Sequence, residues 1–195
     1  MATKKIGIIG SGNVGSALAR GLKRAGLDVR TVDNDKTAVR ETASWADVVL
    51  LAVPFAVIDD VVEEIGQLVE SKTLIDVTNA LDAKMSLAVG FTTSGAEELQ
   101  KKIPQARVVK AFNTQFAQHM DSGRLGDQRL TVFVAGNDAA AKRDATELAT
   151  AIGFEAVDAG PLANARLLEP LGSLNIQLGY VLGMGTQIGL KLVRG

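Results

Sequence analysis

The segment Lys5–Asp35, "KIGIIGSGNVGSALARGLKRAGLDVRTVDND", constrains the fold most, because it sets Gly10, Gly12 and Gly15 between an apolar run and a helical repeat. The spacing G-x-G-x-x-G alone decides little. With 20 glycines in 195 residues, chance supplies roughly 0.2 such triplets in a chain of this length. The neighbours decide. Ile6–Ile9 is strand-like, and Val14, Leu18, Leu22 and Ala25 then recur every three or four positions until Gly26 stops the helix. In that setting Gly10 makes the tight turn, Gly12 removes a side chain that would block a pyrophosphate, and Gly15 lets helix and strand approach. The phosphates would meet the free N–H groups at the start of helix Asn13–Ala25. The competing reading is a glycine-rich turn with no ligand.

Asp33 ends the second strand, 18 residues after Gly15, where a carboxylate accepts hydrogen bonds from the adenosine ribose. Its charge repels a 2′-phosphate. The flank "TVDNDKT" holds Lys36 but no arginine, since Arg30 sits inside the strand and Arg40 lies beyond the loop. These residues favour NAD(H) over NADP(H). A later near miss, Gly183-x-Gly185-x-x-x-Gly189, is one residue too long and follows no strand.

Strand-like runs alternate with helical segments along the rest of the chain. The runs are Lys5–Ile9, Asp28–Val32, Val48–Val53, Thr73–Val77, Arg107–Ala111, Leu130–Ala135 and Phe154–Val157. Most are continuous rather than alternating, the pattern of parallel strands covered on both faces. Helices are expected over Val57–Val69, after the capping signal Ser94-x-x-Glu97, and over Asp138–Ile152. The expected class is α/β: a Rossmann-type doubly wound parallel sheet with a small C-terminal helical segment. Residues 1–160 form the dinucleotide-binding domain, and 161–195 pack on it as part of one compact unit. Between Asp33 and Asp47 there is room for about two helical turns, so the usual third strand is lost. After Pro161, Asn164–Leu182 reads as one helix with Leu167, Leu171, Leu174, Leu178 and Val181 on a face, interrupted by Pro170, Gly172 and Gly179. That helix caps the core, forms a dimer contact, or lines a substrate site.

Composition removes several function classes. With no cysteine and a single histidine, His119, neither thiolate catalysis nor a multi-histidine metal site can be built. A net charge of −1 and 4% aromatic residues give no footprint for nucleic acid or an anionic membrane. The N-terminal apolar run, broken by Gly7 and Gly10, is neither a signal peptide nor a membrane span. The expected setting is cytoplasmic.

The carboxyl ends of the strands, where ligands bind in open α/β sheets, read "AVPF" (Ala52–Phe55), "DVTNA" (Asp76–Ala80), "KAFNTQFA" (Lys110–Ala117) and "DAGPLANAR" (Asp158–Arg166). They hold little acid or base. Pro54 and Phe55 either wall a nicotinamide or end a strand. Asn79, Asn113 and Thr114 either hydrogen-bond a ring or cap helices. His119 either faces the site or lies on the surface, and Asp76 and Glu169 are bases or structural carboxylates. No catalytic residue is assigned; Asn113 and Thr114 are the weak candidates. Reducing a carbonyl or imine needs a proton donor. Passing hydride between two conjugated rings mainly needs the rings held face to face.

"IGIIGSGNVGSALA", "ADVVLLAVP" (Ala46–Pro54), "VVKAFNT" (Val108–Thr114), and "DAGPLANARLLEPL" with "GMG" (Asp158–Gly185) together resemble the NAD(P)H-dependent deazaflavin (coenzyme F-420) reductases. The ferric-reductase domains of the STEAP metalloreductases look like cousins. The resemblance covers nearly the whole chain and implies a homodimer transferring hydride between nicotinamide and a deazaflavin or flavin. By the same analogy Gly10, Ser11, Gly12, Asn13 and Val14 hold the pyrophosphate, while Val53, Pro54, Asn79 and Ala117 line the nicotinamide side. Asn164, Leu167 and Met184 shape the second ring's pocket. Three departures stand out: Asp33-Asn34 replaces the family's Ser-Arg pair for a 2′-phosphate, Asn113 stands where some members have histidine, and the third-strand region is missing. The alternatives are a reductase of a small imine or acid, and a non-catalytic dinucleotide sensor.

Overall fold

The computed structural model describes residues 4–195; the first three residues of the expected 1–160 domain lie outside the described residues. The chain opens β1 (Lys5–Ile9), α1 (Asn13–Arg24), β2 (Asp28–Val32), α2 (Lys36–Trp45), β3 (Val48–Leu51), α3 (Ile58–Ile65), β4 (Thr73–Asp76), α4 (Gly95–Lys102) and β5 (Arg107–Lys110). It continues with a small hairpin, β6 (Arg124–Leu125) and β7 (Gln128–Arg129), then β8 (Thr131–Gly136), α5 (Ala139–Ile152), β9 (Glu155–Asp158) and α6 (Ala165–Ile176), which runs into a π-helical turn, Gln177–Val181.

Seven strands form one sheet in the order β2-β1-β3-β4-β5-β8-β9. Alternate residues feed opposite layers. Ile6, Ile8 and Leu50 pack with Leu18, Leu22 and Leu148 on the α1–α5 face. Ile9, Val49 and Leu51 pack with Val39, Ile65 and Leu99 on the other face. Both faces are covered, so the strands read as unbroken apolar runs. Fully burying a leucine such as Leu18 or Leu22 contributes about 2 kcal/mol. β3 pairs directly with β1, and among the described residues no strand lies beyond β2, so the expected loss of the third strand holds.

One expectation needs correction. β1 to β5 are parallel, but β8 runs antiparallel to β5, with Val109 opposite Gly136 and Lys110 opposite Ala135. The 111–130 connection contains the β6–β7 hairpin and a short 3₁₀ turn, Ala117–His119, rather than a crossover helix. Without a crossover the chain re-enters the sheet in the opposite direction. β9 then pairs parallel to β8, with α5 between them.

The C-terminal helix also differs. Pro170 lies within α6, and the leucine stripe turns mostly outward: Leu167, Leu174 and Val181 are exposed, while Leu171 and Leu178 are half-buried. The buried face carries Ala165, Leu168, Glu169, Gly172 and Asn175. A small, polar face meets the sheet because the ends of β4 and β5 present polar groups that leucines would leave unpaired.

Candidate functional site

The three glycines have three separate duties. Gly10 sits at φ +108, and a Cβ there would lie 2.2 Å from the Ala52 carbonyl oxygen. A Cβ on Gly15 would come within 1.9 Å of the Gly10 carbonyl oxygen. Gly12 is different, because a Cβ there would meet nothing within 4 Å; its missing side chain leaves a cradle rather than relieving a clash. Helices α2, α4 and α5 are capped by the side chains of Asp35, Ser94 and Asp138. Helix α1 begins at Gly12 with no side-chain cap and no acidic residue in its first turn. Its first N–H groups and dipole end therefore suit an anion. A pyrophosphate fits this loop.

Three cavities adjoin the loop; one of about 360 Å³, lined by Ser11, Gly12, Asn13, Arg20 and Ala117, is open and polar, and the other two hold the remaining candidate residues. The larger, about 660 Å³, is lined by Gly10, Ser11, Gly12, Asp33, Asn34, Val53 and Pro54, with Lys36 and Glu64 at its rim. The acidic pair of the sequence divides here. Asp35 is the α2 cap, accepting from the Ala38 N–H at 2.7 Å, whereas Asp33 stands exposed on the cavity wall. The smaller cavity, about 190 Å³, is lined by Asn13, Val14, Asn79, Asn113, Thr114 and Ala117, among others. Thus Val53 and Pro54 lie in one cavity and Asn79 and Ala117 in the other. Phe55 is half-buried against the core and lines neither cavity.

The smaller cavity is built with care for its amides. Phe112, buried and edge-on to Phe154 at 6.1 Å, sits at φ +66, a left-handed conformation that costs a bulky residue about 1–3 kcal/mol. The turn it makes presents Asn113 and Thr114. Asn113 Nδ2 donates to the Leu168 carbonyl at 2.8 Å and to Asn79 Oδ1 at 3.2 Å. Asn79 Nδ2 donates to the Asn113 carbonyl at 3.1 Å. Asn113 Oδ1 and Thr114 Oγ1 are buried with no hydrogen-bond partner among the described residues. Such orphaned atoms are costly unless a ligand or water meets them. Gly172 of α6 admits this arrangement, since a Cβ there would lie 2.5 Å from Asn79 Oδ1.

Beneath the cavity lies an ion cluster that sequence reading treated as separate carboxylates. Lys110, fully buried, donates to Asp76 Oδ2 at 2.9 Å and the Thr78 carbonyl at 2.6 Å, and its Nζ lies 3.1 Å from Glu169 Oε1. Glu169 also accepts from the N–H groups of Gly95 and Ala96, at 2.8 and 3.1 Å, at the start of α4. Burial pushes the Lys110 pKa down, but the charges and hydrogen bonds of Asp76 and Glu169 outweigh it and leave the ammonium raised above its ordinary value. Asp76 and Glu169, joined through Lys110, tie α6 to the sheet. Arg166 adds a second tie, paired in two-pronged fashion with Glu97 of α4 at 2.7 and 2.8 Å.

His119 is not on the surface. Its buried ring places Nε2 3.2 and 3.1 Å from the carbonyls of Thr186 and Ile188, which requires the proton on Nε2. Gln115 exchanges hydrogen bonds with Leu190 in the same tail. Sequence reading also missed Glu64, which reaches from α3 to both Lys36 (2.7 Å) and Arg40 (2.6 Å) of α2. Lys36, hydrogen-bonded to it, holds the Glu64 carboxyl below the ordinary carboxylate range, with Arg40 adding to the effect. Lys36 and Arg40 stand at i, i+4 on one helix face, so the cationic half of this contact was visible in sequence. Among the described residues, no helix is long and apolar enough to cross a membrane, and no group of three or more His, Asp or Glu is placed to hold a metal.

A mostly parallel sheet with an uncapped glycine cradle at the carboxyl end of β1 defines a Rossmann-type dinucleotide-binding protein. The chain matches, over residues 5–80, the family described as NADP oxidoreductase, coenzyme F420-dependent. It is similar to metalloreductase STEAP3 of Rattus norvegicus, 30% identical over 86% of this chain and 36% of the relative. The chain thus spans about a third of that relative's length. Among solved structures, a candidate F420-dependent NADP reductase from Arthrobacter sp. FB24 superposes with a TM-score of 0.89 at 29% identity, covering 98% of this chain and all of that one. A hypothetical protein, SMa0349 of Sinorhizobium meliloti, does so at 0.68 and 30% identity, covering 84% and 87%.

Proposed function

We propose that the protein passes hydride between a nicotinamide dinucleotide and a flavin or deazaflavin. The observation that carries this reading is the chemistry of the smaller cavity. Asn79, Asn113, Thr114 and Asn175 offer amides and a hydroxyl, Ala117 and Gly172 keep the walls small, and Tyr180 is its one titratable lining residue. A bound dihydronicotinamide supplies the hydride. The chain's part is to bind and orient: α1 and Gly12 hold the pyrophosphate, and Asp33 in the larger cavity takes the adenosine ribose. Asn113 Oδ1 and Thr114 Oγ1, both orphaned, take a carboxamide. Two flat rings held against such walls need little proton traffic. Residues 161–195 supply α6 to this cavity, so they act with 1–160 as one unit.

For the nicotinamide partner the reading is NAD(H), although the family's description specifies NADP. Asp33 supports it, as an exposed carboxylate where a 2′-phosphate would otherwise be read. The exposed stripe Leu167, Leu174 and Val181 supports a homodimer. A second reading, reduction of a small imine, rests on Tyr180, whose phenol is the available proton donor; its ring stacks edge-on with Phe116 at 5.6 Å. Titration with NADH, NADPH, FAD, FMN and F420, followed by absorbance, tests both halves. NADH should bind more tightly than NADPH, and a flavin or F420 should be reduced. Tight NADPH with weak NADH would sink the Asp33 argument; no ring acceptor bound or reduced would sink the ring-to-ring one. Tyr180→Phe should leave ring reduction intact, whereas an imine reductase would lose about 10²-fold or more.

A further inference from the structure

The larger cavity carries more negative charge at its adenosine end than Asp33 alone supplies. Its lining includes Asp33, Asp60 and Glu64, against Lys36 as the one lining cation. Three cations lie within reach by sequence, and each is engaged. Arg30 stacks over Trp45, its guanidinium 4.0 Å from the ring centroid. Lys36 and Arg40 both end on Glu64, one to each carboxylate oxygen. The three partners differ in exposure. The Glu64 side chain is only 9% exposed, while Lys36 and Arg40 are 72% and 60% exposed. The carboxylate is fixed in the α2–α3 seam and the long basic side chains reach over to it.

We propose that Glu64 is a specificity-determining residue, holding Lys36 and Arg40 away from the ribose edge of the cavity so that a 2′-phosphate meets Asp33 without a free cation beside it. The inference deepens the NAD(H) reading and rests on it for the location of the ribose. Selection against the phosphorylated dinucleotide is then shared between two helices: Asp33 repels it directly, and Glu64 removes the groups that would compensate. Repulsion and occupation of the competing cations are both ways of rejecting one ligand rather than gripping the other. A freed Lys36 and Arg40 could donate charge-assisted hydrogen bonds to a phosphate, though exposure and salt limit their strength.

The test uses the purified protein and two adenosine probes, 2′,5′-ADP and 5′-ADP, whose affinity ratio isolates the 2′-phosphate. Glu64→Gln should shift that ratio toward 2′,5′-ADP by about fivefold to tenfold at low salt, with the shift shrinking as salt is added. Adding Lys36→Met and Arg40→Met to Glu64→Gln should abolish the shift, while the same two changes in the wild-type background should leave the ratio near its starting value. An unchanged ratio in Glu64→Gln, with or without a lower melting temperature, overturns the proposal and leaves Glu64 a helix-to-helix tie. The wild-type preference between NADH and NADPH tests the underlying reading separately. A protein that prefers NADPH outright refutes the NAD(H) reading, yet the Glu64→Gln ratio still decides the role of Glu64.

Discussion

Replacing Lys110 with methionine removes the only cation from a cluster sealed inside the protein. The substitution preserves chain length and apolar bulk, so the loss is electrostatic. Asp76 keeps the Thr78 N–H at 2.9 Å, and Glu169 keeps the Gly95 and Ala96 N–H groups, but both carboxylates lose their counter-charge. Removing one partner of a buried ion pair costs about 3–5 kcal/mol. At about 2.1 cal/mol/K per residue, a chain of 195 residues has an unfolding entropy near 0.4 kcal/mol/K, so the melting temperature should fall by about 7–12 °C. Circular dichroism melts at neutral pH measure it directly. The pH dependence has a definite sign. The Lys110 pKa is raised above 10.5 in the folded chain, so its contribution is complete below the unfolded value and is lost as pH climbs through the folded one. Wild-type protein should show that alkaline loss, and Lys110→Met should not. Replacing the whole set (Lys110→Met with Asp76→Asn and Glu169→Gln) should recover part of the deficit, because no uncompensated charge remains. A single variant melting within about 2 °C of wild type would refute the claim that the cluster holds α6 in place.

Two further substitutions separate ligand space from packing. Gly12→Ala should melt like wild type yet lose NADH binding by at least tenfold in a fluorescence titration, since its Cβ meets no protein atom within 4 Å; Gly15→Ala, aimed at a carbonyl 1.9 Å away, should instead lower the melting temperature by several degrees. Gly172→Ala should displace the Asn79–Asn113 pair and reduce turnover about tenfold or more with little change in 5′-ADP affinity, as steady-state kinetics beside calorimetry would show.

The ends of β1 and β2 were legible to the residue because each is bounded by a glycine or an aspartate with a structural duty. The reversal of β8 was not. It depends on the 111–130 connection lacking a crossover helix, whereas the Leu130–Ala135 run looks the same in either direction. The orientation of α6 stayed open for a related reason: hydrophobic periodicity finds the apolar stripe, but here Gly172 and Asn175 face inward to suit polar strand ends. At the site, the glycine cradle and Asp33 were readable because they follow one another within a single βαβ unit. Glu64 was not, because its partners lie 24 and 28 residues away on another helix and only folding brings them together. His119 resisted reading because its partners are main-chain carbonyls, which carry no signature in sequence.

The clasp formed by Gln115 and His119 on the 186–190 tail bears on synthesis at the ribosome. The segment carrying Asn113, Thr114 and Ala117 emerges about 70 residues before the tail that satisfies its neighbours' buried side chains. Until then His119 lacks both of its carbonyl acceptors and Gln115 has only that of Thr131, and a buried unpaired polar group is expensive. The nascent chain can therefore complete β1 to β5 and the glycine loop early, and so gain a place for the pyrophosphate. The smaller cavity sets only when the tail arrives, so on the proposed function a partly made chain would hold the dinucleotide before it could use it.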